Sequence, residues 1–244
     1  MSQRFRKKLP EVERKKIVDL AQPTLYSGAG QDALQYLTNE RKLAQDVLRV
    51  FSVGYVPQSV RNLWGYNHEF SGRIIFPIFD QYNDLVALSS RDWRENAYMK
   101  FFHEQFDKSN YLYGLNVAKK SILKFNKAIV VEGDIDVLMS HQVNLRLTVG
   151  VLGSAINLKQ IALLSRYCQN ILFVFDGDKA GREALKRVIK LNNDYRLYRY
   201  DINIIGVQLP NGYDPDLFIV KEGKDKYVNF LSDASKKFLE ERIK

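Results

Sequence analysis

Between residues 128 and 209 the chain alternates short apolar runs, rich in β-branched and aromatic residues, with segments of helical periodicity. The strand-length apolar runs cover residues 128–132, 147–149, 171–175 and 202–209. Strands that alternate with helices favour a parallel or mostly parallel sheet joined by right-handed crossovers. The pattern therefore predicts an α/β fold in which the strands of this half point the same way.

Two of these apolar runs end in acidic residues that are followed by glycine. Glu132-Gly133 closes the first run, and Asp176-Gly177-Asp178 closes the third. Because the carboxyl ends of parallel strands meet at one edge of a sheet, we expect these acids to converge there. Converging carboxylates repel one another unless a cation lies among them, and hard oxygen ligands suit Mg²⁺ or Mn²⁺. The pattern predicts a metal site that handles phosphates, although Asp178 alone could simply cap the next helix.

Three further aspartates follow predicted strands. Asp136 lies one helical turn after Glu132, so it falls on the same side and can reach the same site. Asp214 and Asp216 follow the last predicted strand, where Pro215 between them favours a turn and a helix cap. On the residues alone, Asp136 is a candidate metal ligand, whereas Asp214 and Asp216 belong to a turn and a helix cap.

The charge of the chain favours a polyanionic partner. Its 244 residues carry a formal net charge of +9. Residues 179–199, directly after the acids, hold seven basic and two acidic side chains. A basic run from Arg4 to Lys8 fits a solvated end and a nucleic-acid contact equally well. An acidic pocket beside Lys and Arg side chains indicates an enzyme that acts on nucleotides or nucleic acid.

Composition excludes several classes of protein. The apolar runs are about strand length, far below the roughly 20 residues of a membrane span, and no apolar signal-peptide core follows Met1. The single cysteine, Cys168, excludes an intrachain disulfide framework and a multi-cysteine zinc ribbon within these residues. We interpret Cys168 as a small core residue. The sequence thus predicts no zinc and no membrane partner.

The first half of the chain contains a predicted hairpin. Residues 72–80 and 84–91 have the pattern of two strands joined by a tight turn. Arg73 and Arg91 lie on these strands among apolar residues, which indicates a specific anionic partner. The competing interpretation is a local ion pair with one of the nearby aspartates, Asp80, Asp84 or Asp92.

Several of these segments resemble a known family. Glu132-Gly133, Asp176-Gly177-Asp178 and the following Ala180-Gly181-Arg182 resemble the TOPRIM domain, which primases share with topoisomerases and related nucleases. From about Tyr36 to Gly223, further motifs follow in the order seen in the RNA-polymerase core of bacterial DnaG-type primases. These motifs are Arg41-Lys42-Leu43, Phe51-Ser52-Val53-Gly54-Tyr55, Gly72-Arg73-Ile74-Ile75-Phe76-Pro77-Ile78, Tyr111-Leu112-Tyr113-Gly114-Leu115, Leu152-Gly153-Ser154 and Leu209-Pro210-Asn211-Gly212-Tyr213-Asp214-Pro215-Asp216. The hairpin distinguishes a primase from a topoisomerase.

The resemblance implies a fold and an activity. The implied fold is α/β: a mixed N-terminal subdomain over residues 1–125, a TOPRIM domain with a Rossmann-like, mostly parallel sheet over 126–212, and a short helical segment over 213–244. The implied activity is synthesis of short RNA primers on a single-stranded DNA template. Nucleoside triphosphates would be joined by two-metal nucleotidyl transfer.

The resemblance also implies residue roles. The acids that align with the family's metal site are Glu132, Asp136, Asp176, Asp178, Asp214 and Asp216, of which Glu132, Asp176 and Asp178 are the predicted catalytic set. The predicted nucleotide- and DNA-binding residues are Arg41, Arg73, Arg91, Lys100, Lys179 and Arg182. The lysine of the family's Lys-Tyr-Leu-Asn stretch aligns with Ala97, and Lys100 nearby is the predicted substitute.

DnaG-type primases usually begin with a zinc-binding module and end with a helicase-binding helical domain. Neither is expected within these residues, so a separate zinc-binding module and a replicative helicase are expected partners. The chain is then either the core of a longer protein or a compact form such as a phage protein. Its expected location is the cytoplasm of a bacterial or phage-infected cell.

Two other functions share parts of this pattern. A TOPRIM nuclease uses a similar acidic site, and a non-catalytic relative of the primases would only bind DNA or nucleotides. The retained acids argue against the second, because clustered carboxylates repel one another and would readily be replaced. A topoisomerase is disfavoured, since these residues contain no obvious nucleophilic-tyrosine domain.

Overall fold

The computed structural model describes residues 8–60, 68–95, 97, 99–153 and 156–243. Its internal contacts divide the chain into two compact units, Met1–Asp107 and Lys108–Lys244. The predicted basic run from Arg4 lies outside the described residues, apart from Lys8, which is exposed. None of the described helices is long and apolar enough to cross a lipid bilayer.

The first unit places helices against an antiparallel sheet. Within its described residues, four strands pair in chain order: β1 (Gly54–Val56), β2 (Arg73–Phe79), β3 (Leu85–Arg91) and β4 (Phe101–His103). Its helices are α1 (Glu11–Leu25), α2 (Gln31–Gln35), which continues into a π-helical segment at Tyr36–Glu40, and α3 (Gln45–Val50). Helix α1 buries Ile17, Val18 and Ala21 in a core that also contains Ile75 and Leu88.

The predicted hairpin is confirmed. Strands β2 and β3 pair antiparallel, with one irregularity in register beside Phe79. The Asp80 carboxylate accepts the backbone N–H groups of Tyr82 and Asp84 at 2.8 and 3.0 Å. Asn83 takes a positive φ of 77°, a conformation that asparagine tolerates better than most residues. These local contacts explain why the chain reverses at this point.

The second unit is an α/β layer structure. Its elements are α4 (Leu115–Phe125), β5 (Lys127–Val131), α5 (Asp134–Gln142), β6 (Thr148–Gly150), α6 (Leu158–Leu164), β7 (Asn170–Phe175), α7 (Lys179–Tyr195), β8 (Asn203–Gln208), α8 (Pro215–Glu222) and α9 (Lys224–Ile243). In the described residues the strands are parallel and lie in the order β6-β5-β7-β8. The predicted parallel sheet is therefore confirmed, and Cys168 is buried in its core.

The division into units differs from the predicted boundary after Phe125. Helix α4 places Leu115, Ala118 and Ile122 in the same core as the β5 residues Ala128 and Val130. The helix therefore packs with the parallel sheet. The segment over 213–244 also falls in the second unit, so its helices α8 and α9 are described together with that sheet.

The parallel strands set the acidic residues at one edge of the sheet. Strand β5 ends at Val131, directly before Glu132, and β7 ends at Phe175, directly before Asp176. Helix α7 then begins with Asp178 as its N-cap, whose Oδ1 accepts the N–H of Gly181 at 2.7 Å. The strand-end arrangement expected from the apolar runs is present in the structure.

Candidate metal centre

Three aspartates from different segments form a compact acidic triad. Asp136 lies in the first turn of α5, Asp214 is the N-cap of α8, and Asp216 lies in the first turn of α8. Each offers one carboxylate oxygen, and these oxygens lie within 4.8 Å of one another. Asp136 and Asp216 are buried, and Asp214 is half-buried. The triad is an oxygen-only donor set, which is the type that hard divalent cations prefer.

Backbone hydrogen bonds hold the triad in place. Asp136 accepts the N–H of Gly133 through Oδ2 and the N–H of Asp216 through Oδ1, both at 3.1 Å. The second of these bonds ties the start of α5 to the start of α8, 80 residues later in the chain. Asp214 Oδ1 accepts the N–H of Leu217 at 2.8 Å as a helix cap. Each carboxylate oxygen has two acceptor positions, so these bonds leave capacity for a cation.

The remaining acids lie at the ends of β5 and β7. Glu132 and Asp176 are half-buried, whereas Asp178 is exposed. Within the described part of the chain, Glu132 Oε1 and Asp176 Oδ1 are buried and have no hydrogen-bond partner. A buried, unpartnered carboxylate oxygen is costly, because the group loses its water without replacement. Carboxylate oxygens of this kind are suitable ligands for a divalent cation, so the residues present fit such an ion.

The pKa shifts show that the acids act on one another. Burial, together with the negative charges of Glu132 and Asp214, raises the pKa of Asp176 to about 7. Burial also raises the pKa of Asp136 well above its usual value, and the charges of Asp176, Asp216 and Asp214 add to that effect. The triad and the strand-end acids therefore form one electrostatic cluster.

Glu132 connects this cluster to a basic side chain. Burial raises the pKa of Glu132, a hydrogen bond from the Asp176 backbone opposes the shift, and the charge of Asp178 raises it again. Arg187, an exposed residue of α7, lowers the pKa of Glu132 by its positive charge. The sequence motifs did not single out Arg187, because it is one of several basic residues on an exposed helix face.

A glycine brings the last acidic segment to the others. Gly177 donates its N–H to the Tyr213 carbonyl at 2.7 Å, and its own carbonyl accepts the N–H of Gly212 at 3.3 Å. A Cβ atom on Gly177 would overlap the carbonyl oxygen of Pro210. Only a residue without a side chain allows these two backbones to touch. This contact carries the loop before Asp214 to the end of β7.

The interpretation of Asp214 and Asp216 from the residues alone was incomplete. Asp214 does cap α8, and Pro215 does occupy the first helical position, as that interpretation predicts. Both aspartates nevertheless lie in the triad with Asp136. Only the ordered set of family motifs predicted this placement, because an aspartate that caps a helix and an aspartate that binds a metal have the same local sequence.

The Arg73 side chain forms hydrogen bonds within the first unit. Its guanidinium donates to Ser90 Oγ at 2.9 Å, to the Met99 carbonyl at 2.8 Å and to the Lys100 carbonyl at 3.0 Å. Asp92 Oδ2 lies 3.8 Å from Nη1, so the local ion pair that competed with an anionic partner is present. Arg73 is 7% exposed, and burial lowers its pKa. Its contacts organise the chain that follows β3.

The other predicted basic residues of the first unit differ in exposure. Arg91 is buried and lies over the rings of Tyr36, at 5.9 Å, and Phe101, at 4.9 Å. Arg41 donates to the Tyr36 hydroxyl at 2.8 Å. Lys100 is exposed. In the second unit, Lys179 and Arg182 are exposed in the first turn of α7, directly after Asp178.

Two protein families match this chain. A Toprim-like family matches residues 129–219, and the DNA primase catalytic core N-terminal domain matches residues 65–119. The DNA primase of Synechocystis sp. is 32% identical over 238 residues, which cover 84% of this chain and 37% of that protein. The chain thus spans little more than a third of the length of this relative.

Solved structures show the same architecture. The structure of the DnaG catalytic core matches with a TM-score of 0.82 and 27% identity, covering 91% of this chain and 79% of that one. A DnaG primase catalytic domain bound to single-stranded DNA matches with a TM-score of 0.81 and 26% identity, covering 91% and 80%. The chain belongs to the DnaG primase family. The expected TOPRIM-containing α/β fold is confirmed by the same comparisons.

Membership in the DnaG primase family fits the acidic edge described above. The Toprim-like match spans β5 to α8, and therefore contains all of the clustered acids. The match to the primase N-terminal domain contains the hairpin of the first unit. TOPRIM primases use divalent metal ions, and the acidic triad suits them. The roles assigned to individual side chains stay predictions.

Proposed function

We propose that this chain is the catalytic core of a DNA primase that synthesises short RNA primers. The observation that carries the proposal is the triad of Asp136, Asp214 and Asp216, clustered with the strand-end acids in a primase-family fold. The template we propose is single-stranded DNA, and the substrates are nucleoside triphosphates. A similar solved structure, the DnaG catalytic domain bound to single-stranded DNA, supports this choice of template.

The cofactor we propose is Mg²⁺ or Mn²⁺, without zinc. The proposed ligands are the six clustered acids, Glu132, Asp136, Asp176, Asp178, Asp214 and Asp216. A divalent cation held by them supplies positive charge that stabilises the developing negative charge on the phosphate oxygens. The unpartnered oxygens of Glu132 and Asp176 support this assignment, because a cation would complete their coordination.

The reaction we propose joins one nucleotide to the 3′ end of another. The 3′-hydroxyl oxygen bonds to the α-phosphorus of the incoming triphosphate, the bond from that phosphorus to the bridging oxygen breaks, and pyrophosphate leaves. Glu132 lies at the end of β5 with Oε1 unpartnered among the described residues, where it can accept the hydroxyl proton. Asp176 and Asp178 orient the triphosphate by holding the cation.

Basic side chains are proposed to bind phosphate groups. Lys179 and Arg182 are exposed at the N-terminus of α7, where the helix dipole also favours anions. In the first unit, Lys100 and Arg41 are proposed to contact the template directly. Arg73 and Arg91 are buried, so we propose that they stabilise the conformation of the DNA-binding surface. DNA affinity should fall as the salt concentration rises.

A priming assay tests the proposal. The chain is incubated with single-stranded DNA, ribonucleoside triphosphates and Mg²⁺, and short RNA products are separated on a gel. The wild type should make primers, and Asp176→Ala should lose activity by about 10³-fold or more while still binding DNA. Glu183→Gln, on an exposed turn of α7, is the matched control and should retain activity.

The assay is run alone and with a replicative helicase and a separate primase zinc-binding module, which we propose as partners in the cytoplasm of a bacterial or phage-infected cell. Absence of wild-type product under every condition would refute the proposal. Metal-dependent cutting of DNA without nucleotides would identify a TOPRIM nuclease. Neither that activity nor a purely DNA-binding role is favoured by the comparisons, in which the relatives are DNA primases.

A further inference from the structure

Phe101 is an exposed aromatic residue at the start of β4 in the first unit. It keeps 47% of its surface exposed and pairs directly opposite Arg91 of β3. Among the described strands, β4 is the last of its sheet and pairs only with β3. A single exposed apolar side chain is common on protein surfaces, but an exposed ring on an edge strand also favours unwanted association. The contacts of Phe101 with its neighbours indicate a binding role.

A buried guanidinium lies over the Phe101 ring. The Arg91 Cζ atom is 4.9 Å from the ring centroid, a distance at which a cation and an aromatic ring attract each other. Arg91 itself is only 6% exposed, so the attraction acts with little water around the cation. The ring is therefore held by a buried charge, while nearly half of the residue stays open to solvent.

Further aromatic contacts fix this guanidinium. The Arg91 Cζ atom also lies 5.9 Å from the centroid of the Tyr36 ring. Tyr36 is buried, and its hydroxyl accepts the N–H of Arg41 Nε at 2.8 Å. The rings of Tyr36 and Trp93 have their centroids 6.2 Å apart. Phe101 is thus the exposed member of a packed series, so a ligand would bind it without first ordering the side chain.

An unpaired nucleobase is the ligand that these features suit. Every base has a flat π surface, so bases of any sequence stack on an aromatic ring. Lys100, the residue before Phe101, is exposed and carries the positive charge that attracts a phosphate. A ring next to a basic side chain matches the alternation of bases and phosphates in a single strand better than it matches an apolar protein surface.

We propose that Phe101 is a base-stacking residue, on whose exposed ring an unpaired base of the DNA template stacks. The proposal rests on the proposed function in taking single-stranded DNA as the template. Arg91 is the positioning residue that holds the ring, and Lys100 contacts a phosphate of the same strand. The stacking role needs neither a metal ion nor a nucleoside triphosphate, so it can be measured apart from primer synthesis.

Two oligonucleotides of equal length separate stacking from charge. One is oligodeoxythymidine, and the other carries abasic sugars throughout, so both present the same number of phosphates. Binding of each labelled strand to the whole chain is measured by fluorescence anisotropy in EDTA. The wild type should bind the thymidine strand more tightly than the abasic strand. Phe101→Ala should bind the thymidine strand about 10-fold more weakly, as is typical for loss of a stacking ring, and the abasic strand with wild-type affinity.

Conservative variants at Phe101 test whether the ring itself is needed. Phe101→Tyr keeps a ring and should bind both strands as the wild type does. Phe101→Leu keeps an apolar side chain without a ring and should behave as Phe101→Ala does. Wild-type affinity for the abasic strand in each variant shows that the chain is folded.

Two substitutions elsewhere in the first unit are the controls. Lys100→Gln should weaken binding of both strands equally and reduce the slope of log affinity against log salt concentration by about 0.7. Tyr82→Ala removes a highly exposed ring from the turn between β2 and β3, and should change neither affinity.

The outcomes separate this inference from the proposed function. Loss of affinity for the thymidine strand alone in Phe101→Ala and Phe101→Leu, with wild-type binding by Phe101→Tyr, supports the stacking role. Equal losses on both strands, no loss on either, or wild-type protein that does not distinguish the strands would overturn it. A raised KM for nucleoside triphosphates with unchanged DNA binding would assign the ring to the incoming nucleotide and also overturn it. Wild-type protein that prefers the thymidine strand but makes no primers would refute the proposed function and leave the stacking role intact.

Discussion

The Arg14–Glu104 pair in the first unit and the acidic edge in the second differ in how their buried charge is compensated. In the first unit, buried Arg14 donates to Glu104 at 2.8 Å and to the carbonyl oxygens of Leu9 and Leu85 at 2.8 and 3.2 Å. Opposite charges are therefore paired and their hydrogen bonds are made within the unit. In the second unit the buried charges at the edge of the parallel sheet are all negative, and two of their oxygens have no partner among the described residues.

This difference distinguishes charges that stabilise the fold from charges that are available to bind a ligand. A buried ion pair that is fully hydrogen-bonded is neutral overall and needs nothing from outside. A buried cluster of one sign raises the free energy of the folded protein until an ion of the other sign binds. Charge removal should therefore have opposite effects on stability in the two units.

The largest expected effect is the contrast between Glu104→Gln and Asp176→Asn. Glu104→Gln leaves the Arg14 charge buried and unpaired, and should lower the free energy of unfolding by about 3–5 kcal/mol. Asp176→Asn removes one of several repelling charges, so it should leave the metal-free protein equally stable or more stable. Urea denaturation in EDTA measures both. Equal destabilisation by the two substitutions would show that the acidic edge is as well compensated as the ion pair.

A smaller loss is expected from Gly177→Ala. The added methyl group overlaps the Pro210 carbonyl and forces two backbones apart, which should cost about 1–3 kcal/mol. Mn²⁺ affinity should also fall, because the displaced loop carries Asp214. Gly28→Ala in the first unit is the control, since no described atom lies within 4 Å of the added carbon. If Gly177→Ala matched this control in both stability and affinity, the backbone contact would not position the acids.

The pH dependence of stability should also distinguish the acidic edge. The pKa of Asp176 rises from a usual 3.8 to about 7 in the metal-free folded chain. Between these values the folded state binds more protons than the unfolded state, so the free energy of unfolding falls as pH rises. The stability of the wild type relative to Asp176→Asn should fall by up to about 1 kcal/mol per pH unit from pH 4 to 7, after allowance for solvent screening.

This pH effect is measured by urea denaturation in EDTA across pH 4–7.5. Saturating Mg²⁺ should flatten the wild-type curve, because the ion stabilises the charged carboxylates. A wild-type stability that rises relative to Asp176→Asn over this window would contradict the raised pKa. The Arg14–Glu104 pair offers the internal comparison, since the stability difference between the wild type and Glu104→Gln should be the same with and without Mg²⁺.

The smallest effect is expected at an exposed ion pair. Lys186 and Glu183 lie 3.0 Å apart on α7, with both side chains largely in solvent. Glu183→Gln should change the free energy of unfolding by less than about 0.5 kcal/mol, because exposed pairs gain little in water. Thermal unfolding measures this change. A loss as large as that of Glu104→Gln would mean that exposure does not decide the value of an ion pair in this chain.

Local patterns predicted the fold because each depends on neighbouring residues. The apolar runs before Glu132 and Asp176 identified β5 and β7, and the segments after them identified α5 and α7. Parallel pairing then followed from their alternation, and with it the common edge. The same reasoning could not assign α4 to a unit. Whether this helix packs against the hairpin before it or the parallel sheet after it depends on contacts that are distant in sequence.

Long-range contacts account for the rest of the candidate site. Asp214 joins the triad because Gly177 accepts a close backbone neighbour, a contact that no local pattern encodes. The sequence left open whether Arg73 contacts an anionic partner or a nearby aspartate, and in the structure the segment after β3 accepts its hydrogen bonds.

Calorimetric titration of the purified chain with Mn²⁺ measures most directly whether the acidic edge is a divalent-cation site. The wild type should show saturable binding, and Asp136→Asn should lose it while keeping the circular dichroism spectrum of the folded wild type. Asp136 is the member of the triad that also accepts the N–H groups of Gly133 and Asp216, so its charge is central to the site. Wild-type protein that binds no Mn²⁺, or a variant that binds it with wild-type affinity, would contradict this assignment.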